Sequence, residues 1–316
     1  MAHSMTSPRS SLVIGTRGSR LAVWQAEWVQ ARLQEVRPSL TVTLRRIKTS
    51  GDKILDVPLA AIGGKGLFVK EIEEALLAGG IDLAVHSMKD VPTVLPKGLE
   101  IVCVPLREDP RDALISREAC SLERLPQGAR IGTSSLRRQA QLLHYRPDFR
   151  IEMLRGNLDT RLRKLREGQF DAIVLAAAGL KRMGWFSEVT ELLSPSISLP
   201  AIGQGALGLE GRSDDSFVQS LVATLDHPPT RMAVTAERAL LERLEGGCQV
   251  PIGAHATVNG ETLTLEALIA SVNGVRVVRD TIQGPPEKAQ ALGMELAERL
   301  LDQGGGAILD EIYRNT

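Results

Sequence analysis

The chain has 316 residues, 43% of them hydrophobic and 24% charged, and its 38 lysines and arginines balance 38 aspartates and glutamates. That length supports two or three domains, each able to bury a core. The even charge excludes a global field that would draw in nucleic acid or an anionic membrane; three Trp, two Tyr and five Phe leave few platforms for stacking bases.

In chain order, Met1 to Ser11 lacks an apolar core of signal-peptide length, and no later stretch could span a bilayer. A reducing cytoplasm is the expected location. Leu12 to Thr16 reads as a buried strand, followed by the turn Arg17-Gly18-Ser19 and a helix from Arg20 to about Val36 that ends before Pro38. Gly63-Gly64-Lys65-Gly66 lacks the spacing of a phosphate loop and reads as a flexible loop carrying one lysine able to close over a cleft. Gly79-Gly80 ends a helix ahead of the buried strand Ile81 to His86, and His86-Ser87-Met88-Lys89-Asp90-Val91-Pro92 follows at once. Asp90 there either pairs with Lys89 or caps a turn, or else is a carboxylate held beside cations for proton transfer or charge stabilisation.

The pattern then repeats. Arg130 to Thr133 reads as strand and turn, Ser134-Ser135 as a hydroxyl cap, and Leu136 to Tyr145 as a helix ending before Pro147. Gly168 precedes the buried run Phe170 to Leu175, as Gly80 precedes Ile81. The likeness is either chance or a sign of two similar α/β domains with parallel sheets, facing each other across a cleft. Ligands of such sheets bind beyond the strand carboxyl ends, where helix N-termini point. Arg17, Ser19, Ser135, Arg137, Arg138, Arg155, Arg161, Lys181 and Arg182 fall near such ends, with Arg155 closing a strand Ile151 to Leu154. Any one of the arginines reads as a surface charge; together they suit a ligand bearing several carboxylates or phosphates. Leu193 to Pro200, rich in Ser and Pro, reads as a crossover rather than a core element.

The last ninety or so residues differ. A helix from Arg231 to Leu244, three alternating segments (Ala254–Val258, Thr262–Ala270, Gly274–Ile282) and helices near 286–301 and 307–313 describe a small α+β domain with an antiparallel sheet. Its entry loop, Glu245-Gly246-Gly247-Cys248-Gln249-Val250-Pro251, presents a sulfur with open space beside it. Cys103 lies in an apolar run that suggests burial, Cys120 in a polar loop, and the three cysteines form neither a metal pattern nor a disulfide framework.

Thr16-Arg17-Gly18-Ser19, Gly63 to Phe68, His86 to Pro92, Arg107 to Asp112, Gly132 to Arg138, Leu154 to Asn157, Gly203-Gln204-Gly205 and Glu245 to Cys248 occur in this order. On these segments the chain resembles the porphobilinogen deaminase (hydroxymethylbilane synthase) family of heme biosynthesis. The resemblance implies two periplasmic-binding-protein-like α/β domains, residues 1–105 with 200–224 and residues 106–199. Residues 225–316 would form an α+β domain carrying a three-stranded antiparallel sheet. It implies a dipyrromethane cofactor joined to Cys248 by a thioether. Four porphobilinogen molecules add to it head to tail with loss of ammonia, and water then releases hydroxymethylbilane. Asp90 is implied as the catalytic carboxylate; Lys89, Ser87, Thr133, Ser135, Arg137, Arg138, Arg155 and Arg161 as cofactor contacts; and Arg17, Ser19, Arg155, Arg182 and Lys65 as substrate contacts. Ala61 stands where some relatives have lysine. A transferase acting as a monomer, without metal, nucleic acid or membrane partner, is the expectation. The rival is a non-catalytic dicarboxylate- or oxyanion-binding protein of the two-domain cleft type, which explains the arginines but gives Cys248 and Asp90 no task.

Overall fold

The computed structural model describes residues 9–53, 66–245 and 250–314. The first unit begins with β1 (Ser11–Arg17) and α1 (Arg20–Val36). Ser19 caps that helix by accepting the Ala22 N–H at 3.3 Å, and Ala22, Ala26, Val29 and Leu33 form its buried stripe. The chain continues through β2 (Thr41–Ile47), α2 (Ser50–Lys53), α3 (Lys70–Leu77), β3 (Leu83–Ser87) and β4 (Leu99–Cys103). Asp90 closes a single 3-10 turn, Met88–Asp90, set directly on the end of β3.

The second unit comprises β5 (Asp112–Ser116), β6 (Arg130–Gly132), α4 (Leu136–Tyr145), β7 (Arg150–Glu152), α5 (Leu158–Arg166), β8 (Ala172–Ala176), α6 (Ala177–Arg182) and β9 (Glu191–Leu192). The chain then returns to the first unit through β10 (Leu207–Arg212) and α7 (Ser216–Val222). The third unit is α8 (Pro228–Arg243), β11 (Ile252–Asn259), β12 (Thr262–Ala270), β13 (Val277–Gly284), α9 (Ala289–Leu300) and α10 (Gly306–Arg314).

Two five-stranded sheets have the orders β2-β1-β3-β10-β4 and β7-β6-β8-β5-β9. The internal repeat is therefore structural: β1 corresponds to β6 and β3 to β8. The expectation of parallel sheets needs correction. β1 runs parallel to β2 and β3, but β10 is antiparallel to both β3 and β4, and in the second sheet β5 is antiparallel to β8 and β9. These two strands enter from the segments joining the lobes, so they run back against the βαβ direction. In the third unit β12 is central and antiparallel to β11 and β13. Its apolar face packs with α8 and α9, through Leu240, Leu265, Ile269, Leu296 and Leu300.

The segment from Leu193 to Pro200 does cross between units and forms no helix or strand, yet Leu193, Ser198 and Leu199 are fully buried in the junction. Glu237 of α8, also fully buried, ties the units together. It accepts from the Arg107 guanidinium at 2.5 Å, from the Gly203 N–H at 2.7 Å and from the Ala256 N–H at 2.8 Å. Each remaining acceptor position of a buried carboxylate needs such a donor to offset its desolvation.

Candidate active site

A cavity of about 730 Å³ opens between the two sheets. From the first unit it is lined by the ends of β1, β2 and β3, through Arg17, Arg46, Lys48, Ser87, Lys89 and Asp90, and by the start of α1. The second unit contributes Arg138, Arg155, Asn157, Arg161 and Arg182, with Gly205 and Ala206 at the joining strand. This is the strand-carboxyl edge of both units, where turns and helix starts expose N–H groups.

Among the described residues, nine cationic side chains line the space (Arg17, Arg20, Arg46, Lys48, Lys89, Arg138, Arg155, Arg161 and Arg182) against two carboxylates, Asp90 and Asp159. The wall is thus strongly cationic in a molecule with no net charge. Burial, joined in two cases by neighbouring cations, lowers the pKa of three of these groups. Burial, then repulsion from Arg138 and Arg155, brings Arg161 down to about 10, against some relief from Asp90. Burial likewise lowers Arg182 to about 10, partly offset by Glu108. Lys89 is accessible from the cleft but hemmed in by protein; desolvation lowers its pKa, with Asp90 opposing and Arg138 adding to the fall. An anion entering here relieves like-charge repulsion already present.

Asp90 is one-third exposed, toward the cavity. Among the described residues its carboxylate meets the Arg17 guanidinium at 4.0 Å, too long for a hydrogen bond. Its oxygens therefore remain available to a donor on a ligand. Arg17 in turn stacks on Phe68, 4.1 Å from the ring centre.

The other residues singled out from sequence divide into two groups. Arg17, Ser19, Ser87, Lys89, Asp90, Arg138, Arg155, Arg161 and Arg182 line one cavity. Ser19 is also the α1 cap, and Ser87 accepts from Gln25 at 2.9 Å. Arg155 lies beyond β7 rather than at its end, because β7 stops at Glu152, whose carbonyl accepts the Thr133 N–H. Thr133, Ser135 and Arg137 stand behind the wall. Ser135 caps α4 by accepting the Arg138 N–H, Thr133 accepts the Ser135 N–H, and both Thr133 and Arg137 are buried. Lys181 pairs with Glu108 at 3.0 Å outside the cavity. Cys248 and Lys65, with Gly63, Gly64 and Ala61, lie outside the described residues.

Asp112, at the start of β5, was not singled out from the sequence. Fully buried, it accepts from Arg137 at 2.8 Å, Arg138 at 2.8 Å, Ser198 at 2.7 Å and Gln204 at 2.9 Å. Burial pushes its carboxyl up, but the two guanidiniums outweigh that and hold it well below the usual carboxylate range. Arg138 spends Nε and one Nη on Asp112 and the other Nη on the Val174 carbonyl, so its place in the wall is fixed by protein contacts. Arg20, Arg46 and Lys48 were likewise missed, although Arg46 and Lys48 sit where β2 ends and the strand-end rule reaches them.

Two lobes around a guanidinium-rich cleft, with an acid facing it among the cations, have the form of a protein that takes a polyanionic ligand. The description "Porphobilinogen deaminase, dipyromethane cofactor binding domain" matches residues 12–220, and "Porphobilinogen deaminase, C-terminal domain" matches residues 231–302. The chain belongs to the porphobilinogen deaminase family. The porphobilinogen deaminase of Pelobacter propionicus is 59% identical over 307 residues, covering 97% of this chain and 99% of that protein. Those of Geobacter sulfurreducens (60% over 303 residues, 96% and 95% covered) and Syntrophotalea carbinolica (61% over 300 residues, 95% of each covered) are equally similar. Among solved structures, the "probable amino-acid ABC transporter extracellular-binding protein ytmK" of Bacillus subtilis overlays with a TM-score of 0.41 at 9% identity, over 68% of this chain and 89% of that one.

Proposed function

We propose that this chain is a transferase of tetrapyrrole synthesis, a hydroxymethylbilane synthase. It joins four porphobilinogen molecules head to tail on a covalent dipyrromethane, with loss of ammonia, and then releases hydroxymethylbilane by hydrolysis. The observation that carries this reading is the Asp90 carboxylate, set among Arg17, Lys89, Arg138, Arg155, Arg161 and Arg182 in one cavity and, unlike Asp159 beside Arg20, not held by a close ion pair among the described residues. The donor set fits the cofactor: the cations match acetate and propionate groups, and Asp90 matches pyrrole N–H donors. When bound, the dipyrromethane supplies the primer to which the first substrate ring is joined.

In this proposal Arg155, Arg161 and Arg182 anchor carboxylates on one side of the cleft, and Arg17 and Ser19 on the other. Asp90 accepts a hydrogen bond from the substrate pyrrole N–H and offsets the positive charge that develops on that ring as ammonia departs. Lys89 and Ser87 support the cofactor's carboxylates from the same turn, with Arg138 opposite. Thr133, Ser135 and Arg137 act from behind, fixing α4 and Arg138. Lys65 closes over the substrate, and Cys248 carries the thioether, a linkage that survives the reducing cytoplasm in which we place the protein. We propose that it acts as a monomer and divides at three joins, 105/106, 199/200 and 224/225, into 1–105 with 200–224, then 106–199, then 225–316. A passive oxyanion trap would gain nothing from an open acid beside its cations.

Asp90→Ala is expected to lower turnover at least about 100-fold while the melting temperature stays near that of the native protein; substantial turnover removes Asp90 from the chemistry. Intact mass of the native protein should exceed the polypeptide by a dipyrromethane, and Cys248→Ser should lack the excess. An adduct persisting in that variant moves the attachment elsewhere.

A further inference from the structure

Asp90, Arg17 and the pair Arg46 and Lys48 lie along one edge of the first sheet, at the ends of β3, β1 and β2, which are neighbours in that order. Thr16 pairs with Arg46 and Arg17 with Ile47. Neighbouring strands stand about 4.8 Å apart, so the end of β2 is roughly 10 Å from the end of β3. Val42 and Leu44, on one face of β2, pack into the core beneath α1. Arg46 continues that face, past the point where α1 begins.

Arg46 and Lys48 are exposed within the cleft, and neither has an ion-pair or hydrogen-bond partner among the described residues. The first turn of α1 beside them holds no acidic residue and begins with Arg20. Cations at a helix N-terminus oppose its dipole, so Arg17, Arg20, Arg46 and Lys48 gather where positive charge is least welcome. The one carboxylate lining the opposite wall near them, Asp159, is taken by Arg20 at 2.6 Å. Two cations without a partner among the described residues, on a wall of this kind, suit an anion.

Resting on the oligopyrrole reading above, we propose that Arg46 and Lys48 form a distal carboxylate site. It holds the acetate and propionate groups of a ring at least one unit removed from the ring at Asp90. Each condensation adds a ring with two carboxylates while the reacting end stays at Asp90. The cations around Asp90 serve the nearest rings, and a longer chain carries carboxylates out to the distance of β2. The site is therefore empty of ligand groups early in the cycle and filled late, which makes its effect depend on the step.

The test uses the full-length holoenzyme as wild type, as the double variant Arg46→Ala with Lys48→Ala, and as the control Arg45→Ala. Arg45 lies on the opposite face of the same strand and donates to the Gly80 carbonyl at 3.0 Å. Each protein is mixed with porphobilinogen, quenched at intervals and weighed intact, so that enzyme carrying one to four added units is resolved. The double variant is expected to accumulate early species, with the ratio of last to first addition rates lowered about fivefold, and the control to match wild type. Uniform slowing of every addition would assign the pair to the incoming monomer and overturn the proposal. So would an unchanged distribution, or an equal shift in the control. Wild type that gains no units at all instead overturns the functional reading itself. Melting temperatures and the charge-keeping variant Arg46→Lys, which should restore late additions, separate these outcomes from loss of fold.

Discussion

Glu73, Glu210 and His86 show how much a single buried group can impose on this protein. His86 Nε2 lies 2.9 Å from Glu210 Oε2, and Oε1 of both glutamates is buried without a hydrogen-bond partner. Burial, then repulsion from Glu210, raises the Glu73 carboxyl to about 7, with His86 pulling the other way. A carboxyl that keeps its proton in the fold and loses it in the open chain stabilises the fold fully below its unfolded value, near 4.5, and that contribution fades as pH rises through about 7. Melting curves of Glu73→Gln and wild type between pH 4.5 and 8 should therefore diverge, the variant gaining on wild type until about pH 7 and holding its lead above that; parallel curves would show Glu73 ionised throughout. The burial of His86 was legible from its strand, but its pairing was not, because Glu73 and Glu210 lie far from it in sequence and look like ordinary surface charges. Cys103 was legible, because its apolar neighbours announced burial: it is fully enclosed, and burial pushes its thiol up to about 12. Asp90 stood out because a carboxylate, an ammonium and a hydroxyl follow a buried strand within four residues.

At the scale of elements, periodicity and caps located α1 and α4 to the residue, since an apolar stripe and a hydroxyl cap are local signals. Strand direction was not local. β5 and β10 look like any buried strand, and what reverses them is the path of the joining segments. The same nonlocality hid Asp112, whose partners come from α4, from the crossover and from Gln204. That aspartate pins the first turn of α4 to β5 and to the crossover, and thereby holds Arg138 in the cleft wall. Asp112→Ala would leave two buried guanidiniums, 5% and 7% exposed, without their counter-charge. Removing one partner of such a buried pair costs about 3–5 kcal/mol, which a urea midpoint should register. A midpoint equal to that of wild type would mean that the arginines find other acceptors.

The whole molecule carries no net charge, yet among the described residues its cleft is lined by nine cations and two acids. Substrate attraction is therefore local and screened by salt. Between about 0.1 and 1 M salt the screening length drops from about 10 to about 3 Å, and the KM for porphobilinogen should climb roughly three- to tenfold. A flat KM across that range would point to contacts made by shape rather than charge. The two-lobed plan was readable from the repeated strand, turn and helix, whereas the return of the chain to its first sheet was not. That return has a consequence for how the protein is made. β10 occupies the slot between β3 and β4, hydrogen-bonded to both. A nascent chain that has not yet extruded residue 207 holds a first lobe whose edge strand β4 is cut off from β3, with two unsatisfied strand edges waiting on a segment that arrives only after the second lobe has been translated.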